Sequence, residues 1–224
     1  MKKIALVSSV VLLFFLSASC QNPSHQKKKE QETSKQETPV QTNGENSLRK
    51  AYFASGCFWC VELIYENVYG VNEVISGFSG GEVDNPTYKE SNTSKTGHAE
   101  ANEVIYDPNL VSFSTLVDVY FGSQNITQVN GQGPDIGSQY RSILFYQNDE
   151  EKKIIENKIA ALNEVLDEEK VAAQVLPFRK FWIAEAYHQD YEKNNPNDRY
   201  VQNVSIPRLN RFKSKFPQLL KENN

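Results

Sequence analysis

Residues 21–47 consist of Gln, Lys, Glu, Thr, Ser and Asn with almost nothing apolar, so whatever this chain folds must be built from the stretch that begins near Leu48. A tract of that kind buries too little surface to offset the entropy lost on ordering, and it is expected to be a disordered polar tether. In front of it lie Met1, Lys2 and Lys3, an apolar run over 4–16 that is short for a membrane span, and the small residues Ser17, Ala18 and Ser19 ahead of Cys20. That is the layout of an export signal with its cleavage site. The expected organisation is an export signal over 1–19, a tether over 20–47 and one domain over 48–224.

Within the domain, strand and helix patterns alternate. A β-prone run over 51–54 meets Ser55 and Gly56, after which Val61, Ile64, Tyr65 and Val68 recur at helical spacing from Cys57 onward. Strands are expected over 71–78, 98–106, 142–146 and 171–178. Helices are expected around Phe113–Phe121, over 149–170, over 184–191 and, more weakly, over 208–220. The stretch 124–139 has little periodicity and holds Gly131, Gly133, Pro134 and Gly137, which suits an ordered loop of the sort that carries function. With no repeat and no heptad seam, the predicted class is α/β (α+β), a mixed sheet with packed helices.

The formal charge of −4 is spread over interspersed signs, so no nucleic-acid partner is expected, and Lys27, Lys28 and Lys29 read as a solvated linker run. Chemistry is more readily placed at Gly56-Cys57-Phe58-Trp59-Cys60, where strand turns into helix. A thiol on a first helical turn has unpaired N–H groups and the positive dipole end nearby, which favours thiolate. Cys57 and Cys60 share one helix face, but there is no second cysteine pair and His98 and His188 are isolated, so no metal site is expected. That leaves a reactive thiol or a structural disulfide, and a bridge closing so small a loop adds little, which favours reactivity. Phe58 and Trp59 either wall an apolar cup beside the sulfur or belong to the core. Glu100 falls near the start of a strand, where a carboxyl at the edge of an apolar pocket would gain a raised pKa and could donate a proton, although taken alone it reads as a surface residue. Tyr88, Asp135 and Tyr140 sit in loops, where phenols and carboxylates can orient a bound oxygen. Met1 is the only methionine.

These segments together resemble the peptide methionine sulfoxide reductase A family over 50–207. The match runs through Gly56-Cys57-Phe58-Trp59 with Glu62, Gly77-Phe78-Ser79-Gly80-Gly81, Asn85-Pro86-Thr87-Tyr88, Thr96-Gly97-His98-Ala99-Glu100, Tyr106-Asp107-Pro108, Gly133-Pro134-Asp135, Gln139-Tyr140-Arg141-Ser142 and Tyr187-His188-Gln189. The resemblance implies a two-layer sandwich related to the ferredoxin-like fold and reduction of the S epimer of methionine sulfoxide, free or in proteins. It assigns Cys57 as nucleophile, Glu100 as proton donor, Tyr88 and Tyr140 as partners of the sulfoxide oxygen, Phe58 and Trp59 as the methyl cup, and Asp135 as a polar contact. No bound cofactor is implied, only an external thiol reductant such as a thioredoxin-like protein or dithiothreitol.

Two departures stand out. Many relatives carry a resolving cysteine in the C-terminal tail and a glycine where Cys60 stands, whereas here no cysteine follows Cys60; a Cys57–Cys60 disulfide is therefore expected to form during turnover, with direct reduction of the sulfenic acid as its rival. Gln124-Asn125-Ile126 replaces a His-Asp-Pro run, which bears on local loop shape. The small residues before Cys20 resemble a bacterial lipobox, so Cys20 is the expected lipidation site, with the enzyme a monomer tethered in the bacterial cell envelope. The rival readings are a general thiol-disulfide oxidoreductase working through Cys57 and Cys60, and a lipoprotein binding module with a structural disulfide.

Overall fold

The computed structural model describes residues 47–222; the expected export signal, Cys20 and nearly all of the tether lie outside them. The first strand, β1 (Arg49–Ala54), leads through Ser55 and Gly56 into α1 (Phe58–Glu66), and β2 (Val71–Ser79) follows. The short helix α2 (Tyr88–Ser91) precedes β3 (Ala99–Tyr106) and α3 (Phe113–Gly122). A two-residue hairpin, β4 (Gly131–Gln132) and β5 (Asp135–Ile136), stands before β6 (Ile143–Tyr146), α4 (Asp149–Val165), β7 (Gln174–Pro177) and β8 (Phe181–Ile183). The chain then forms α5 (Tyr191–Asn194), a π-helical turn Val201–Ser205 and α6 (Ile206–Lys215). No helix among the described residues is long and apolar enough to cross a membrane.

Six strands make one sheet in the order β7-β6-β1-β3-β2-β8, parallel between β6 and β7 and antiparallel elsewhere. Alternation along β1 and β3 decides the two faces. Ala51, Phe53, Val104 and Tyr106 pack beneath α1 and α3 with Ile64, Tyr65, Leu116 and Tyr120. Each such side chain, when fully buried, contributes about 1.5–3 kcal/mol. Tyr52, Ala54, Ala99 and Ala101 face the opposite way, where Phe178 stacks on Tyr52 with ring centroids 3.7 Å apart. The same alternation carries Glu100 and Asn102 to the helix face, at the end of β3 that meets the start of α1.

The sequence-based elements need three corrections. The helix expected over 149–170 stops at Val165, and the following strand is confined to Gln174–Pro177. The helix expected over 184–191 does not form. Ala184 instead donates to the Ser76 carbonyl, and the Gln189 amide bonds both the N–H and C=O of Ser76, so this segment continues the sheet edge before a single turn Ala186–His188 and a left-handed Asp190 (φ 51°). Finally, β8 itself has no counterpart in the sequence reading. It lies close against β2 because Gly77 has no side chain: a Cβ there would overlap the Trp182 carbonyl oxygen and the Phe181 ring. Gly77→Ala is therefore expected to lower stability by about 1–3 kcal/mol, read as a lower urea midpoint at unchanged slope.

Candidate active site

The site is assembled where α1 begins. Gly56, at φ +78°, turns the chain with its Cα packed against Gln132, where a Cβ would fall 2.5 Å from the Gln132 Cβ. Cys57 then takes the N-cap position (φ −57°, ψ 124°), yet its side chain makes no capping bond. The cap comes from elsewhere: the Phe58 N–H donates to Glu100 Oε2 at 3.0 Å, while Asn102 Nδ2 donates to the Phe58 carbonyl at 3.1 Å. One strand thus holds the first residue of the helix at both its N–H and its C=O.

Glu100 is 2% exposed, and burial pushes its carboxyl up to about 8, against the lowering effect of the Phe58 N–H, with Asp135 and Cys60 adding to the rise. At neutral pH it carries a proton. Around it, Cys57, Phe58, Cys60, Phe78 and Ala184 form a buried cluster on which Trp59, Tyr88, Tyr140, Trp182 and Tyr200 pack. Tyr88 opens α2, fixed by a capping box between Thr87 and Glu90 and by its N–H to Glu185 Oε1 at 3.0 Å. Tyr140 ends a turn that follows Gly137 (φ +144°), and the neighbouring Arg141 ties that turn to the Gly97 carbonyl at 2.8 Å, just ahead of Glu100. Asp135, on the hairpin, accepts the Tyr200 hydroxyl at 2.5 Å.

The two aromatics that follow Cys57 are less uniform than their neighbouring positions suggest. Phe58 is 1% exposed and belongs to the core beneath the site, touching Phe78, Tyr88 and His188. Trp59 is partly exposed and stacks flat on Tyr191 with centroids 3.7 Å apart. His98, two residues from Glu100, is structural: Nδ1 accepts the Gly81 N–H and Nε2 bonds the Val83 carbonyl. Among the described residues Glu62, Glu66 and Asp190 are near enough to share a cation, but the Lys193 ammonium already occupies that position, 2.7 Å from Glu66 and 2.6 Å from Asp190.

A buried thiol pair, a protonated carboxyl and two phenols gathered around one apolar cluster are suited to removing an oxygen from sulfur. The family model described as peptide methionine sulfoxide reductase matches residues 49–220. The chain belongs to the peptide methionine sulfoxide reductase family. A reductase MsrA of Pasteurella multocida is 43% identical over 173 residues, covering 77% of this chain and 99% of that protein. One of Haloquadratum walsbyi is 40% identical, covering 76% and 97%. Among solved structures, methionine sulfoxide reductase A of Corynebacterium diphtheriae superposes with a TM-score of 0.59 at 33% identity, covering 68% of this chain and 77% of that one. Mxr1 of Saccharomyces cerevisiae in its reduced form gives 0.59 at 30%, covering 68% and 88%. This reductase is thus an oxidoreductase for thiol-dependent reduction of peptide methionine (S)-S-oxide.

In the reductase, the ionisation of the thiols runs against the dipole argument. Burial pushes the Cys57 thiol well above the usual thiol value, and its hydrogen bond with Cys60 and the negative charge of that sulfur raise it further. Cys60 is drawn down to about 6, first by the Cys57 bond and then by Arg208, Ser205 and Tyr200, against burial. The two sulfurs therefore titrate as one hydrogen-bonded pair, with burial holding Cys57 up and its polar neighbours drawing Cys60 down. Both thiols are free. The sequence reading also missed the residues around Cys60: Ser205 Oγ at 3.1 Å, the Tyr200 hydroxyl at 3.8 Å, and Arg208, whose guanidinium bonds the Ser55 and Ser123 carbonyls and the Ser55 hydroxyl. Nothing in local spacing points to them, since they lie roughly 140–150 residues along the chain from Cys60.

Gln124, the first residue of the departure from the family pattern, has a structural use. Its Oε1 accepts from Ser55, Gln132 and Ser142, joining the β1–α1 turn, the hairpin and the start of β6.

Proposed function

We propose that the chain is an exported reductase, lipid-anchored through Cys20 in the bacterial cell envelope, that returns oxidised methionine to methionine as a monomer and without a bound cofactor. Cys57 attacks the sulfoxide sulfur. Glu100 gives its proton to the departing oxygen, held by the Tyr88 and Tyr140 hydroxyls, while the Cys57 proton replaces it on the carboxyl. Phe58 and Trp59 receive the methyl group, and Asp135, positioned by Tyr200, fixes the substrate's orientation. The substrate S–O bond then breaks and the oxygen passes as hydroxyl to the Cys57 sulfur as the transient S–S bond opens, so the products are methionine and a sulfenic acid on Cys57. The observation that carries this reading is the bond from the Phe58 N–H to Glu100, which sets the only buried acid of β3's helix face beside the nucleophile's own residue.

Cys60 then resolves the sulfenic acid as a Cys57–Cys60 disulfide, and a thioredoxin-like dithiol protein, or dithiothreitol, reduces it. A cavity of about 540 Å³ bordered by Cys60, Gln132, Asp135, Arg208 and Arg211 supports an approach to that residue. The test is two equivalents of racemic methionine sulfoxide, which supply one of the S epimer, no reductant, and the full chain with Cys20→Ser, followed by epimer-resolved chromatography and protein mass. The S epimer is expected to be consumed and the protein to reach the mass of a disulfide. With Cys60→Ser added, the same methionine should appear, but the protein should stop at a dimedone-reactive sulfenic acid. Consumption of the R epimer, or a disulfide mass in the Cys60→Ser chain, would overturn the assignment.

A further inference from the structure

Glu62, which stands in the family pattern but takes no part in the chemistry, lies one turn beyond Phe58 and Trp59 on α1 and is 3% exposed. Both of its carboxyl oxygens accept hydrogen bonds, Oε2 from the Ser76 hydroxyl on β2 and Oε1 from the Asp190 N–H at 2.5 Å. The same Ser76 hydroxyl accepts from Asn102 Nδ2 at 3.2 Å, and that amide also holds the Phe58 carbonyl. Glu62 therefore joins the strands that fix the start of α1 to the segment 188–191.

That segment backs the aromatics beside Cys57. The His188 ring lies 5.0 Å from Phe58, 5.5 Å from Trp59 and 4.3 Å from Tyr88, centroid to centroid, and Tyr191 lies flat on Trp59 at 3.7 Å. Neither ring nitrogen of His188 has a hydrogen-bond partner among the described residues, so the ring is placed by its backbone and by packing. The backbone is anchored by the Gln189 amide on Ser76 and by the Asp190 N–H on Glu62. Asp190 itself is left-handed, at φ 51° and ψ 30°, a conformation that residues other than glycine seldom take, and the bend it makes starts α5 and brings Tyr191 onto Trp59. Its side chain pairs with Lys193 at the surface, where such a pair holds weakly. The buried Glu62 carboxyl is the stronger hold on the bend.

We propose that Glu62 is a positioning residue for substrate binding, acting through the Asp190 bend to hold Tyr191 and His188 against the Trp59 and Phe58 walls of the methyl cup. The inference deepens the proposed reading of those two aromatics and rests on it. A wall that leans away loses its contact with the methyl group before and during reaction alike, so the loss falls on affinity and not on the rate at saturation.

The test uses the full chain with Cys20→Ser, dithiothreitol and the S epimer of methionine sulfoxide, with KM taken from steady-state turnover and the rate at saturation from a single turnover. Glu62→Ala should raise KM roughly tenfold while the rate at saturation stays within a factor of about two. Glu62→Gln, which keeps an oxygen for the Asp190 N–H, should bring KM back to within about twofold of the original. Tyr191→Leu should raise KM several-fold alone, yet by less than about twofold when added to Glu62→Ala, because both act through one contact. An unchanged KM in Glu62→Ala, a rate at saturation that falls as far as KM rises, or a Gln variant that behaves like Ala overturns the positioning role. Full additivity with Tyr191→Leu overturns the route through the Asp190 bend. Where Glu62→Ala does not fold, Glu62→Asp, one methylene short of spanning both donors, carries the same expectations. Trp59→Leu separates the two levels: an unchanged KM there overturns the cup reading and the inference with it, whereas a raised KM there beside an unchanged one in Glu62→Ala overturns the role of Glu62 alone.

Discussion

Cys57→Ser is expected to abolish methionine formation, by about four orders of magnitude or more, while leaving the protein at least as stable as before. The loss follows from the nucleophile: a serine hydroxyl stays protonated at neutral pH, and no group at the site stands ready to ionise it. The retained stability follows from the backbone. Cys57 sits at the N-cap of α1 without making a capping bond, and serine is among the preferred residues there, with an oxygen that can accept an N–H of the first turn. Turnover of the S epimer with dithiothreitol, measured beside urea unfolding of the same preparation, checks both halves. A variant that turned over at a tenth of the original rate would remove Cys57 from the chemistry. One that unfolded about 2 kcal/mol more readily would show that the thiol is part of the core rather than poised at its edge.

Glu100→Gln is the second large effect, an expected loss of roughly 10²- to 10⁴-fold in the rate of methionine release. Glutamine keeps an oxygen to accept the Phe58 N–H, so the start of α1 should hold, but it has no proton to hand to the oxygen. The pH profile separates this from a packing defect. The active form of Glu100 is the acid, and burial places its pKa at about 8, so activity should persist below that value and fall as pH rises through it. The glutamine variant should show no such descending limb. A variant whose profile still fell near 8 would assign that titration to another group, and an unchanged rate would remove Glu100 as donor.

The strand-to-helix junction at Cys57, the inward face of β3 and the functional loop before β6 are all readable in the pattern of apolar residues. Each depends on a local period of two or of about 3.6, and such periods survive tertiary packing. Glu100, Tyr88, Tyr140 and Asp135 could be singled out separately, and the fold brings them around the thiols through the Phe58 N–H, the capping box before Tyr88 and the tie from Arg141 to Gly97. What sequence could not convey falls into two kinds. Ser205, Tyr200 and Arg208 reach Cys60 from a stretch in which a π-turn breaks helical periodicity, so no face is announced. The titration of the Cys57 and Cys60 pair depends on burial at Cys57 and on the polar neighbours of Cys60, properties of the surroundings that the motif does not carry. The missing β8 and the false helix over 184–191 share a cause: Gly77 admits a neighbour that a period-based reading has no means to see.

Helix α1 is secured at its far end as well. The Lys221 N–H donates to the Asn67 carbonyl at 2.9 Å, the Tyr69 N–H to the Leu219 carbonyl at 2.8 Å, and Val68 forms a β-bridge with Leu220. The last residues of the fold therefore act as a buckle on the rod whose other tip bears the reactive sulfur. Removing Leu219, Leu220 and Lys221 would therefore free the segment that leaves α1, a full helix length from Cys57.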